Sequence, residues 1–273
     1  MMHADPAVPA MIPQDSLNDL IDSWENSPHP STKVTSYFPA YVQLFNHLRG
    51  TACTFIETGI LGGGSLFMWR KWLGDKARII GIDLNPAANR WIDAGFEIYI
   101  GDQGDPDFWR ATLEQIGKFD ALLDDGGHQS FQQIVTVTEA LRNCKHSCVI
   151  AVEDTGTSFM SDFSNHGRHS FLEYSKDATD CLIGKSFPMY PGRFPKRYNE
   201  DSVDFFKSVL SIQFFGGIVA FNVDPKNCVQ PQVLYNKHEN STSDFRYEGK
   251  NEAVVEWPDV LTKEVVIVKG GQN

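Results

Sequence analysis

The chain of 273 residues is 41% hydrophobic, 22% charged and 12% aromatic, as in an ordinary globular protein of one large or two small domains. A formal net charge of -11 leaves no basic stripe to neutralise phosphates, which argues against DNA or RNA as a partner. No apolar stretch is long enough to cross a bilayer, and five scattered cysteines suit free thiols in a reducing compartment.

Residues 1–30 are rich in Pro, Asp, Ser and Asn and lack the basic start and apolar core of a secretory signal. A cytoplasmic protein with an N-terminal arm or lid is therefore expected. Short helices are predicted over 17–24 and 37–48, the second from apolar residues at near-helical spacing. From residue 51, strand and helix signals alternate. Strands are predicted at 52–56, 77–82, 97–100, 119–123 and 148–152, and helices at 65–72, 87–94, 106–116 and 130–142. Such alternation predicts a doubly wound, mainly parallel α/β sheet with helices on both faces. Helices at 169–183 and 201–210 follow, then two strands within 211–223 joined by a Gly-Gly turn, for seven strands in all. The organisation expected is a helical arm over 1–50, a ligand-binding α/β domain over 51–223, and a C-terminal extension over 224–273 packed on that domain.

Ligands of open α/β sheets bind beyond the carboxyl ends of the strands, and here nearly every strand ends in chemistry. The first runs into Glu57, Gly59, Gly62, Gly63, Gly64 and Ser65 before a helix begins. Leucine at 61 breaks the dinucleotide fingerprint, and no Lys-Ser or Lys-Thr pair follows to make a phosphate loop. A ligand without phosphates fits better, and S-adenosylmethionine suits such a sheet. Asp83, ending the second strand, is placed to accept its ribose hydroxyls. Asp102 and Gln103, after the third strand, are placed to reach its adenine.

The fourth strand closes on Asp124, Asp125 and His128, and the fifth on Glu153 and Asp154. Ends of neighbouring strands lie roughly 5 Å apart. Carboxylates that crowded need a cation or a raised pKa. Hard oxygen donors favour magnesium or manganese over zinc. His128 has the chemistry of a general base, or alternatively caps the following helix. Asp124 is counted on the cofactor side, with the alternative that it only satisfies loop N–H groups. His166 and His169 fall in a lid-like stretch, together with the aromatics Phe159, Phe163, Tyr190, Phe194 and Tyr198.

The segments SYFPAYVQLF, ETGILGGGSLFMW, GIDL, GDQGDPDFW, FDALLDDGGH, VIAVEDTGTSF and SIQFFGGIVAF occur in order between residues 35 and 223. Together they resemble the metal-dependent, S-adenosylmethionine-dependent sugar O-methyltransferases of antibiotic biosynthesis, the macrocin and mycinamicin type. The resemblance implies the class I, Rossmann-like methyltransferase fold. It implies Asp125, Glu153 and Asp154 as ligands of Mg2+ or Mn2+, and His128 as the catalytic base. It also implies Glu57, Gly59, Ser65, Asp83, Asp102 and Gln103 around the cofactor; Gly63 and Asp124 are counted with them. The expected acceptor is a small hydroxylated natural product bearing a sugar, vicinal diol or catechol, and the N-terminal helices are a candidate homo-oligomer contact. The chain departs from the family in the stretch from Phe159 to His166 and after Val223. Two competing readings use the same residues: a non-methylating metal enzyme on this scaffold, and a non-catalytic cofactor-binding protein.

Overall fold

The computed structural model describes residues 12–144, 146–163, 169–184 and 200–229. Expectations for His166, for Tyr190, Phe194 and Tyr198, and for the chain beyond 229 lie outside these residues.

Among the described residues, seven strands form one sheet in the order β3-β2-β1-β4-β5-β7-β6. They are β1 Thr54–Thr58, β2 Arg78–Asp83, β3 Glu97–Ile100, β4 Ala121–Asp124, β5 Cys148–Val152, β6 Val209–Phe214 and β7 Val219–Val223. The first five are parallel, and β7 runs antiparallel between β5 and β6. This is the doubly wound, mainly parallel seven-stranded architecture of the class I methyltransferase fold.

The central strands are apolar throughout because helices cover both faces. All residues of β4 (ALLD) and β5 (CVIAV) are buried. Successive side chains alternate between two core layers. Phe55, Leu123 and Ala151 face α1 (Gln14–Glu25), α2 (Tyr37–Phe45) and α3 (Gly64–Leu73), which contribute Leu20, Tyr41, Phe45 and Trp69. Ile56, Leu122 and Ile150 face α4 (Pro106–Ile116), α5 (Ser130–Asn143) and α6 (Phe171–Gly184), which contribute Trp109, Val137 and Phe171. The two N-terminal helices thus share the core of the sheet. A further helix, α7 (Glu200–Phe205), precedes the β6–β7 hairpin.

Several predicted elements differ in type or bounds; the helix expected over 37–48, for example, ends at Phe45 and continues as a 3₁₀ turn, Asn46–Leu48. The helix expected over 87–94 is a 3₁₀ helix, Pro86–Trp91, started by the Asn85 side chain accepting from the Ala87 N–H. Gly95, at φ 81°, follows the turn after it and leads the chain into β3. The strand expected from Phe119 begins at Ala121, because the Asp120 carboxylate instead accepts from the Thr54 N–H at 2.9 Å. The helix expected over 201–210 stops at Phe205, where the chain turns to begin β6 at Val209. Among the described residues no helix is long and apolar enough to cross a membrane.

Register is what positions the site. Thr58 pairs with Asp124, and Asp124 pairs with Val152. Gly59, Asp125 and Glu153 therefore leave the sheet side by side at one edge.

Candidate active site

A cleft of about 460 Å³ opens over that edge, a size that suits a small ligand. One end is built from the glycine loop and the ends of β2 and β3. Gly59, Leu61, Ser65, Asp83, Asp102 and Gln103 all line it. Gly59 has φ 83°, and a Cβ there would overlap the Asp125 carbonyl, so only glycine lets β1 and β4 end this close together. The Asp83 carboxylate accepts from the N–H groups of Leu61 (3.1 Å) and Asn85 (2.8 Å). Each oxygen keeps a lone pair for a further donor.

Three residues assigned to the cofactor from sequence sit behind this wall. Glu57 is fully buried and accepts from Ser65 Oγ at 2.7 Å and Trp69 Nε1 at 3.1 Å, tying the loop to α3. Gly63 backs onto the Trp91 ring, where no side chain would fit. Asp124 is buried and accepts from Gln103 Nε2 at 2.9 Å and the Gly126 N–H at 3.1 Å. Burial raises the pKa of Glu57 and of Asp124 above the usual carboxylate range.

The other end is acidic. Asp125, His128 and Asp154 each bring a potential ligand atom within 4.8 Å of the others. His128 Nε2 lies 3.6 Å from Asp154 Oδ2. Both residues hold left-handed backbone torsions, φ 57° and 52°, which are uncommon outside glycine. Thr157 Oγ1 donates to both carbonyls, at 3.1 and 2.8 Å, and keeps the two strained turns together. His128 does not cap α5; Gln129 occupies that position and makes a capping box with Gln132. Among the described residues the buried His128 Nδ1 has no hydrogen-bond partner. Hard carboxylate donors and an uncommitted imidazole at this spacing fit a divalent cation.

Glu153 is placed differently from its neighbours. It is fully buried and outside the Asp125–His128–Asp154 group. Tyr41 Oη donates to its Oε1 at 2.5 Å, and Lys33 Nζ donates to its two oxygens at 3.1 and 3.4 Å. The same ammonium reaches Asp125 Oδ2 at 2.5 Å, and Tyr37 Oη donates to Asp154 Oδ1 at 2.5 Å. Burial pushes Glu153 up to about 8, with Lys33 opposing the rise. Burial also works against the charge of Lys33, but Glu153, Tyr41, Asp125 and Glu57 outweigh it and hold its pKa well above the ordinary value.

Lys33, Tyr37 and Tyr41 were not singled out from the sequence. Tyr37 and Tyr41, four residues apart on α2, share one helix face, whereas Lys33 precedes the helix. Tyrosine hydroxyls on an otherwise apolar face also need partners once buried. Tyr37 and Tyr41 read simply as apolar positions of a helix.

No family model matches the chain. Among curated proteins it is similar to the 8-demethyl-8-alpha-L-rhamnosyl tetracenomycin-C 2'-O-methyltransferase of Streptomyces olivaceus, 27% identical over 177 residues covering 60% of this chain and 46% of that one. It is also similar to the demethylmacrocin O-methyltransferase of Streptomyces fradiae, 25% identical over 171 residues, 58% of this chain and 43% of that one. These relatives are the macrocin-type sugar O-methyltransferases that the motifs resemble. The matched stretch spans less than half the length of either. Among solved structures, the MycE methyltransferase of the mycinamycin pathway, in complex with Mg, SAH and mycinamycin VI, superposes with a TM-score of 0.63. It is 18% identical, and the match covers 84% of this chain and 57% of that one, which establishes the shared fold.

Proposed function

We propose that this chain is an S-adenosylmethionine-dependent, metal-assisted O-methyltransferase acting on a sugar or vicinal-diol hydroxyl of a small glycosylated natural product. The observation that carries the reading is one cleft with two chemically distinct ends. A glycine loop and Asp83 stand at one end, and Asp125, His128 and Asp154 converge at the other. A protein that only bound the cofactor would have no use for the second end. Relatives of the chain are named for O-methylation of rhamnosyl and macrocin sugars, which favours methyl transfer over the other chemistries such a scaffold supports.

S-adenosylmethionine supplies an electrophilic methyl on sulfur, and a divalent ion lowers the pKa of an acceptor hydroxyl and fixes its position. The residues of the chain do the rest. Asp83 accepts from the ribose hydroxyls, and Gly59 lets the ends of β1 and β4 that border the cleft lie close together. Asp125 and Asp154 would hold the ion. Glu153, the third ligand implied by the resemblance, is engaged by Lys33 and Tyr41. His128 takes the hydroxyl proton at Nε2, and the Asp154 carboxylate 3.6 Å away stabilises the imidazolium that results. The cleft walls position the two reactants, which on general grounds contributes several kcal/mol, in excess of about 5, to the barrier reduction.

The direct test is transfer of labelled methyl from S-adenosylmethionine to a panel of rhamnosylated and other deoxysugar polyketides, with Mg2+ and with EDTA. Product that forms with Mg2+, stops with EDTA, and falls by about 10²-fold or more in His128→Ala supports the assignment. Full turnover in folded Asp125→Asn and His128→Ala proteins would refute it.

A further inference from the structure

The acidic end of the cleft already contains a cation. Lys33 Nζ lies 2.5 Å from Asp125 Oδ2, 3.1 Å from Glu153 Oε1 and 3.7 Å from Glu57 Oε1, and its side chain is 1% exposed. The ring of Tyr41 covers it from 5.7 Å. The segment carrying it is pinned across the glycine loop: Ser27 Oγ donates to the Gly64 carbonyl at 2.8 Å, and His29 packs against Phe67 and Trp91. Gly62 and Gly64 have no space for a Cβ because the carbonyls of Pro30 and His29 lie there. The arm is thus built into the loop, and Lys33 is delivered to a fixed point.

We propose that Lys33 is a tethered counter-cation that shares Asp125 with the divalent ion and holds Glu153 away from it, and so sets how tightly this protein binds metal. This role rests on the acidic cluster being the metal site proposed above. Two cations that share one carboxylate repel each other, and away from bulk water this repulsion is strong. Glu153 accepts from Tyr41 and Lys33 at Oε1 and from Lys33 again at Oε2, so an ion there competes with the ammonium. Removing the ammonium ends the repulsion and also frees Glu153 as a ligand. Both changes act in the same direction. A lysine that only braced the fold would, on removal, loosen the carboxylates and weaken metal binding instead.

The test is Mn2+ titration by calorimetry and electron paramagnetic resonance on the full chain, with no cofactor or acceptor present. Lys33→Met is expected to bind Mn2+ at least about tenfold tighter than wild type, and Mn2+ should raise its melting temperature by more. Lys33→Arg, which keeps the charge, should stay within about threefold of wild type. Glu153→Gln in the presence of Lys33 should also change Mn2+ affinity by less than about threefold, and this nearly isosteric variant decides the matter if Lys33→Met fails to fold. Wild type that binds Mn2+ while Lys33→Met binds it equally or more weakly would overturn the role of Lys33 and leave the metal site standing. A Glu153→Gln loss of about tenfold or more would do the same. No Mn2+ binding by any of the folded proteins would remove the metal site itself and this role with it.

Discussion

His128 and Asp154 hold left-handed torsions at the acidic end of the cleft, and each costs of order 1 kcal/mol or more that the surrounding fold must offset. The roles proposed for the two side chains account for non-glycine residues at these positions. His128→Gly removes the strain and the imidazole together. It is expected to melt within a few degrees of wild type, while turnover falls by about 10²–10⁴-fold. A large drop in melting temperature would instead make the ring a packing element. Glu153 supplies a pH signature. Its pKa is raised by burial to about 8, against about 4.3 in an unfolded chain. A group shifted upward on folding contributes stability that is complete below about pH 4 and is lost as the pH rises through about 8. Lys33 adds no slope in this window, because its raised pKa keeps it charged throughout. Metal-free protein should therefore melt at progressively lower temperature from about pH 5 to about pH 8, and Glu153→Gln should flatten that decline. An unchanged slope in the variant would place the titrating group elsewhere.

Among the elements, the strands that carry the site were the most legible in sequence. β4 and β5 are uninterrupted apolar runs that end in carboxylates, and parallel register brings those ends together without further instruction. The glycine loop was legible as a loop, but part of the reason for its glycines was not. Gly62 and Gly64 make room for the N-terminal arm, and only Gly59 answers to the close approach of strand ends. Lys33, Tyr37 and Tyr41 escaped notice because their partners lie 92 to 120 residues away, and no local pattern encodes such pairs. The arm can be tested as an element. Gly64→Ala places a methyl group against the His29 carbonyl and is expected to cost about 1–3 kcal/mol of stability, with faster proteolysis of residues 12–34. Leu20→Ala, in the core-facing side of α1, should cost about 2–5 kcal/mol, because α1 shares the main core. Wild-type stability in both would mean that the arm is only loosely attached.

Over the whole molecule, the parallel strands bring the cleft-lining residues together at their carboxyl ends. A net charge of -11 and a largely acidic cleft suit a cation and a neutral or cationic ligand, and S-adenosylmethionine carries a positive sulfonium. The curated relatives are more than twice as long as the stretch they share with this chain. Acceptor choice was the least legible property, since the sequence departs from the family from Phe159 to His166 and after Val223. The measurement that bears most directly on the account is calorimetric titration of S-adenosylmethionine into metal-stripped protein, wild type and Asp83→Asn, repeated with Mg2+. A single site in the wild type without metal, weakened about ten- to a hundredfold in a folded Asp83→Asn protein, is the predicted result. No binding by wild type in either condition would contradict the account and return the glycine loop to other ligands.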